Sequence, residues 1–139
     1  MSTNENGAAV PTGELALQTL TMPKDTNANG DIFGGWLVSQ MDLGAGIASK
    51  KVARGRAATV AIKNVNFIMP VSVGATVSCY TEVVHIGRTS MHIQVDVWMS
   101  LFGVDDQPKK VADGLFVFVA IDDDGKPRKL LDDEGNPAI

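Results

Sequence analysis

The stretch Asp25-Thr26-Asn27-Ala28-Asn29-Gly30-Asp31-Ile32-Phe33-Gly34-Gly35-Trp36 decides how this chain is read. It is a polar, turn-rich loop that opens directly onto an apolar helix, expected over residues 34–51. One carboxylate, Asp42, stands in the middle of that helix. Aspartate is a poor helix-interior residue because its side chain competes for backbone hydrogen bonds, and a charge near a core is costly unless paired. Two such costs at one position point to chemistry. An amide side chain (Asn27), free N–H groups at a Gly34-Gly35 helix start and a lone acid two turns later form a set able to bind and hydrolyse a carbonyl.

Outward from this stretch the order is strand, helix, then strands only. Residues 14–21 alternate well enough for a first strand, and 58–67 are β-rich up to Met69-Pro70, where proline stops a ladder. Residues 77–86 lead into Gly87-Arg88, a tight turn. Met91, Ile93, Val95, Val97 and Met99 alternate with His92, Gln94, Asp96 and Trp98, the clearest period-two run in the chain. After the polar loop Asp105-Asp106-Gln107-Pro108, residues 110–121 end in an apolar run that predicts a buried central strand. One long helix and about five antiparallel strands imply an α+β fold, the sheet curled around the helix. At 3.6-residue spacing, Trp36, Leu37, Gln40, Met41, Leu43, Ile47 and Ala48 share the broad apolar side. Gly35, Val38, Ser39, Asp42, Ala45, Gly46 and Ser49 share the other, so small side chains surround the acid and leave it approachable.

The 139 residues make one domain, with a leader over 1–13, a body over 14–121 and a charged flexible tail over 122–139. The net charge is −4, and the tail holds six acids against three bases, so the body is near neutral. With no basic stripe, nucleic acid is not an expected partner. No apolar run reaches the ~18 residues of a membrane span, and the start lacks a signal-peptide layout. The single cysteine, Cys79, has no partner for an internal disulfide, which fits a reducing cytoplasm.

These blocks together resemble the hotdog-fold acyl-CoA thioesterases, nearest the bacterial YciA-type group. The resemblance runs over about residues 14–121 and is carried by Met22-Pro23, the Asp25–Gly35 loop, Gln40-Met41-Asp42, Asn66-Phe67 with Pro70, and Gly87-Arg88-Thr89-Ser90. It implies one long central helix wrapped by the curved sheet, and hydrolysis of fatty acyl-CoA without metal or cofactor. Asp42 is then the catalytic acid/base or nucleophile, Asn27 orients the water or carbonyl, and Gly34 and Gly35 form an oxyanion hole. The turn maps Arg88, Thr89 and Ser90 to the coenzyme A nucleotide, with Arg56 as a further phosphate contact. Implied too is a homo-oligomer, a dimer assembling to a hexamer as a trimer of dimers, with loop and helix acid from different chains at each site.

Plainer readings stand beside these. Asp42 could pair with Lys50 or Lys63 at a subunit contact, and Asn27 could simply cap the helix. Lys50, Lys51, Arg54 and Arg56 suit the negative end of the helix dipole. The loop matches the first half of a calcium-binding loop, but Trp36 stands where such loops need a bidentate glutamate, and no helix precedes it. Cys79 and His85 are six residues apart, ~20 Å along one strand, too far for a nucleophile–base pair. A hydratase would want a histidine near the helix acid, where none occurs. A non-catalytic acyl-CoA or acyl-carrier binding module is the remaining alternative; as a regulator it would need a DNA-binding extension beyond thirteen polar leader residues.

Overall fold

The computed structural model describes residues 9–101 and 107–138. Its strands are β1 (Glu14–Leu20), β2 (Ala57–Phe67), β3 (Thr76–Ile86), β4 (Ser90–Ser100) and β5 (Lys109–Ala120); its long helix is α1 (Gly34–Ala53). The strands form one antiparallel sheet in the order β1-β3-β4-β5-β2. The α+β expectation of one helix against five strands therefore holds, with element ends shifted by one or two residues. β5 is interior, as its apolar run requires, although β4 takes the middle position.

Register shifts on β1, β2, β3 and β5, such as Lys63/Asn66 on β2, bend the strands and curl the sheet toward the helix. Asn64 lies within that β2 shift at φ 55°, a left-handed conformation that asparagine tolerates better than most side chains. Inward-facing Val77, Cys79, Ile93, Val95, Val97, Phe116 and Phe118 meet Leu37 and Met41 of α1 in the core.

The helix does not present the face expected from side-chain size. Its buried residues are Leu37, Met41, Gly44, Ala45, Ser49 and Ala53, whereas Leu43 is 58% exposed and Ile47 40%. The cause is proximity. A Cβ at Gly44 would lie 3.3 Å from the Cβ of Cys79 and 3.6 Å from that of Ala16, so the helix settles onto the sheet through its smallest residues. The larger apolar side chains are left outward beside Asp42.

Residues 122–138 are not the flexible tail expected from their charge. Two turns fold them back, with bridges Ile121–Pro127 and Leu131–Pro137, and Leu130 is buried with the core. The expectation treated acids as solvated chain and overlooked their role in closing turns. Of the expected leader, residues 1–8 lie outside the described residues, as do Asp105 and Asp106 of the polar loop and Ile139.

The sheet has two edges. On one, β2 leaves Val60, Ile62 and Phe67 exposed, and Ile68 continues the apolar row. Among the described residues no helix is long and apolar enough to cross a membrane.

Candidate active site

The decisive loop is built by local hydrogen bonding. Pro23 opens a 3-10 turn over Pro23–Asp25, and the buried Asp25 carboxylate accepts from the Met22 N–H at 3.2 Å and from Lys24 at 3.3 Å. The Asp25 carbonyl accepts from the Phe33 N–H at 3.1 Å, and Ile32 N–H donates to Val71. Between these anchors Asn27 closes a tight turn: its Oδ1 accepts from the N–H groups of Asn29 and Asp31 at 2.9 and 3.2 Å.

Asn27 therefore caps its own turn, not the helix. Phe33 occupies the helix cap position and offers no side-chain acceptor. Its carbonyl takes the N–H groups of Trp36 and Leu37, while those of Gly34 and Gly35 have no partner among the described residues. Two unpaired amides at the positive end of a twenty-residue helix are suited to a developing oxyanion.

Asp42 is half-buried. The Thr59 hydroxyl donates to its Oδ1 at 2.6 Å, which fixes the carboxylate and leaves the second oxygen for chemistry. Among the described residues Asp42 makes no ion pair within its own chain. Thr59 escaped the sequence reading because the contact spans seventeen residues and depends on the β2 register, which no local pattern encodes. Asp25 was missed as well; Pro followed two residues later by Asp is a usable signal for a capped turn.

The two halves of the expected site are not brought together in one chain. Asn27 and Gly34 line a groove of about 410 Å³ with Ile32, Leu37, Phe67 and Pro70. Asp42 and Thr59 line another, about 450 Å³, with Leu43, Gly46, Ile47 and Phe118. The grooves share no residue, and Gly34 and Asp42 are ~12 Å apart along the helix at ~1.5 Å rise per residue.

Arg56 and the 87–90 turn do converge, at the far end of the helix. The Arg56 carbonyl accepts from Ile121 N–H and the Thr89 carbonyl from Ala120 N–H, so the two segments flank the end of β5. The Arg56 guanidinium bonds the carbonyls of Asp122 and Asp123 at 3.3 and 3.2 Å, and the exposed Arg88 lies 3.6 Å from Asp133. Ser90 Oγ packs under the turn, only 2.8 Å from where a Cβ on Gly87 would sit.

Cys79 is fully buried, and burial pushes its thiol up to about 12, so it holds its proton at neutral pH. His85 stacks edge-on against His92 across β3 and β4, with ring centres 5.1 Å apart. No group of three His, Cys, Asp or Glu able to hold a metal ion occurs among the described residues. The calcium-like loop follows strand β1, and its Asn27 oxygen is turned onto its own backbone.

Residues 29–100 match the model of the thioesterase superfamily. The acyl-CoA thioester hydrolase YciA of Salmonella typhimurium is 49% identical over 132 residues, covering 94% of this chain and 97% of that protein. The crystal structure of HI0827, a hexameric broad-specificity acyl-coenzyme A thioesterase solved as an aspartate-to-alanine variant, is similar at 45% identity. It has a TM-score of 0.83 and covers 89% and 91% of the two chains. The hexameric thioesterase y2039 from Yersinia pestis is similar at 48% identity and a TM-score of 0.82, covering 88% and 99%. Close to half of the residues and the fold of a helix against an antiparallel sheet are thus shared with these enzymes: the chain belongs to the thioesterase superfamily, among its YciA-type acyl-CoA thioester hydrolases.

Proposed function

We propose that the protein hydrolyses the thioester of fatty acyl-CoA to a free fatty acid and coenzyme A. The observation that carries this is Asp42, held by Thr59 in an apolar groove between Leu43, Ile47 and Phe118. The thioester carbonyl oxygen lies against the Gly34 and Gly35 amides of one subunit, with Asn27 beside it. Asp42 of the neighbouring subunit takes a proton from water as the water oxygen bonds the carbonyl carbon. The tetrahedral oxyanion collapses, the C–S bond breaks, and the departing sulfur takes that proton from Asp42 to leave as the thiol. In the nucleophilic variant the Asp42 carboxylate bonds the carbon instead, the thiolate leaves and is protonated by water, and a water then cleaves the resulting mixed anhydride to the free acid and the regenerated carboxylate. Carboxylate, water and amide donors complete this reaction without metal or cofactor.

Arg56 and Arg88, gathered at the C-terminal end of the helix, take the phosphates of the coenzyme A nucleotide in this reading, with Thr89 and Ser90 adding hydroxyls. The working form is a hexamer, as HI0827 and y2039 are, and we propose that it is built of dimers. Pairing of uncovered β2 edges supplies the dimer contact. A reducing cytoplasm is the proposed location, in keeping with the single buried thiol.

Thiol release from acyl-CoAs of different chain lengths tests the reading. Wild-type protein turns over at least one of them, and a folded Asp42→Asn variant loses ~10²–10⁴ in rate. Near-normal turnover by folded Asp42→Asn overturns the assignment; wild-type silence across the panel overturns the function.

A further inference from the structure

The nucleotide end of the proposed site leans on residues 122–138. The turn between β3 and β4 is held by Gly87 N–H, which donates to the Ser90 carbonyl at 2.8 Å, and by Ala120 N–H, which donates to the Thr89 carbonyl at 2.9 Å. The carbonyl of Arg88 is held differently. It accepts from the N–H groups of Leu130 and Leu131 at 2.5 and 3.3 Å. The Leu130 side chain is 4% exposed and joins the core. With Val52 of α1, Ile86 of β3 and Pro137 it lines a small cavity of about 290 Å³.

The same segment reaches the other arginine of that end. Arg56 Nη1 donates to the carbonyls of Asp122 and Asp123. Arg128 N–H donates to the Ala120 carbonyl at 2.8 Å, and its guanidinium donates to the carbonyl of Ala53, the last residue of α1, at 2.7 Å. A helix C-terminus carries partial negative charge and repels phosphate. Arg128 covers one of its open carbonyls and offsets that charge where the coenzyme A phosphates are to lie. Asp133 stands 3.6 Å from Arg88 and 3.7 Å from Lys129. All three side chains are more than half exposed, so these pairs are screened and exchange readily for a phosphate.

We propose that residues 122–138 are a working part of the coenzyme A site, and that Leu130 is the positioning residue within them. With its side chain fixed in the core, Leu130 presents its N–H at a set place and so fixes the backbone from which the Arg88 guanidinium extends. Arg56 is aimed by the same segment, so two arginines from different elements are kept in one arrangement. A diphosphate binds a preset pair of cations at less ordering cost than two independent ones. Thioesters that lack the nucleotide do not reach these groups. The segment therefore favours coenzyme A thioesters over pantetheine thioesters without touching the reacting carbonyl.

This inference rests on the hydrolase reading and on the nucleotide lying at Arg56 and Arg88, and the test separates the three. Thiol release from an acyl-CoA and from the matching acyl-pantetheine, melting temperature, and calorimetric binding of free coenzyme A are measured on full-length proteins. These are wild type, Leu130→Ala, Arg128→Met, Val77→Ala and Arg88→Glu. Leu130→Ala raises KM for acyl-CoA and Kd for coenzyme A about tenfold, with kcat and the pantetheine KM within about twofold of wild type. Arg128→Met removes the bond to Ala53 but keeps an unbranched stem; it raises the same two constants about threefold and carries the test if Leu130→Ala does not fold. Val77→Ala, a truncation in the core on β3, lowers the melting temperature and leaves both KM values unchanged. An unchanged acyl-CoA KM in the folded variants, or an equal rise on both substrates, overturns the proposal. So does a fall in KM, which makes the segment an obstruction. If Arg88→Glu is selective for coenzyme A and Leu130→Ala is not, the positioning role alone fails; if neither is selective, the nucleotide lies elsewhere. Wild-type silence on both substrates overturns the hydrolase reading, and coenzyme A binding by the variants still decides this inference.

Discussion

Two inactive variants of this protein are expected to restore each other when mixed. Asn27 and Gly34 line one groove, Asp42 and Thr59 line another, and no residue belongs to both. Nor can side-chain motion join them. Gly34 and Asp42 are fixed on one helix ~12 Å apart, and an asparagine reaches only a few ångströms from its Cα. A catalytic centre needs its donor and its base within ~3 Å of the same reacting atoms. In the proposed mechanism the missing half of each groove comes from a second chain, placed so that one subunit's loop faces the other's helix. Consider Asn27→Ala and Asp42→Ala chains, each inactive alone, unfolded together in equal amounts and refolded. Random pairing makes about half of the dimers mixed, and each mixed dimer has one site with both residues intact and one with neither. About a quarter of all sites are therefore wild-type, and thiol release returns to about 25% of the wild-type rate. Native mass spectrometry counts the mixed species. If mixed dimers are abundant and activity stays at the level of the single variants, Asn27 and Asp42 work within one chain and the reasoning is wrong.

Thr59→Val removes the hydroxyl on Asp42 Oδ1 while keeping a β-branched shape, and steady-state kinetics should show kcat reduced about tenfold, since hydrogen bonds to charged groups contribute ~1.5–3 kcal/mol. Arg88→Glu should raise KM for acyl-CoA and weaken inhibition by free coenzyme A, with smaller effects on short pantetheine thioesters; equal losses on both substrate types remove Arg88 from the nucleotide. Native Cys79 should resist alkylation at pH 8 and label fully in denaturant. Because burial raises its folded pKa to about 12, the folded state keeps a proton that the unfolded chain gives up near ~8.5. Chemical denaturation should accordingly show stability falling as pH rises from about 9 toward 12, and less so in Cys79→Ala.

The elements were legible because each carries its own local period or breaker. Alternation from Met91 to Met99 marks β4, and Met69-Pro70 and Gly87-Arg88 mark the ends of their neighbours. Asp42 was legible as a residue out of place in a helix. Which helix face is buried was not. Size and apolarity favoured Leu43 and Ile47, but closeness of approach favoured Gly44 and Ala45, and approach depends on the sheet's curvature, a property of all five strands. Thr59 was hidden for the same reason: its place opposite Asp42 is set by the β2 register and its bulges. The terminal acids misled because charge reads as solvation. Asp122 and Asp132 instead spend their oxygens on backbone N–H groups two and four residues ahead, which sequence shows only once the repeated Asp-x-x-Gly spacing is noticed.

The reversed helix face also explains how one element serves both fold and site. A helix that buried Leu43 and Ile47 would carry Asp42 round with them and force either a desolvated charge or a thicker core. Settling on Gly44, Ala45 and Ser49 keeps the acid half-exposed and lines its approach with the side chains displaced from the core. Those side chains are too large and too apolar to be favoured against water, as are Val60, Ile62 and Phe67 on the β2 edge. Covering them with substrate on one surface and a second subunit on the other removes both costs. In the proposed dimer the partner that buries the edge is also the chain whose loop brings Asn27 to Asp42, so that assembly and catalysis stand or fall together.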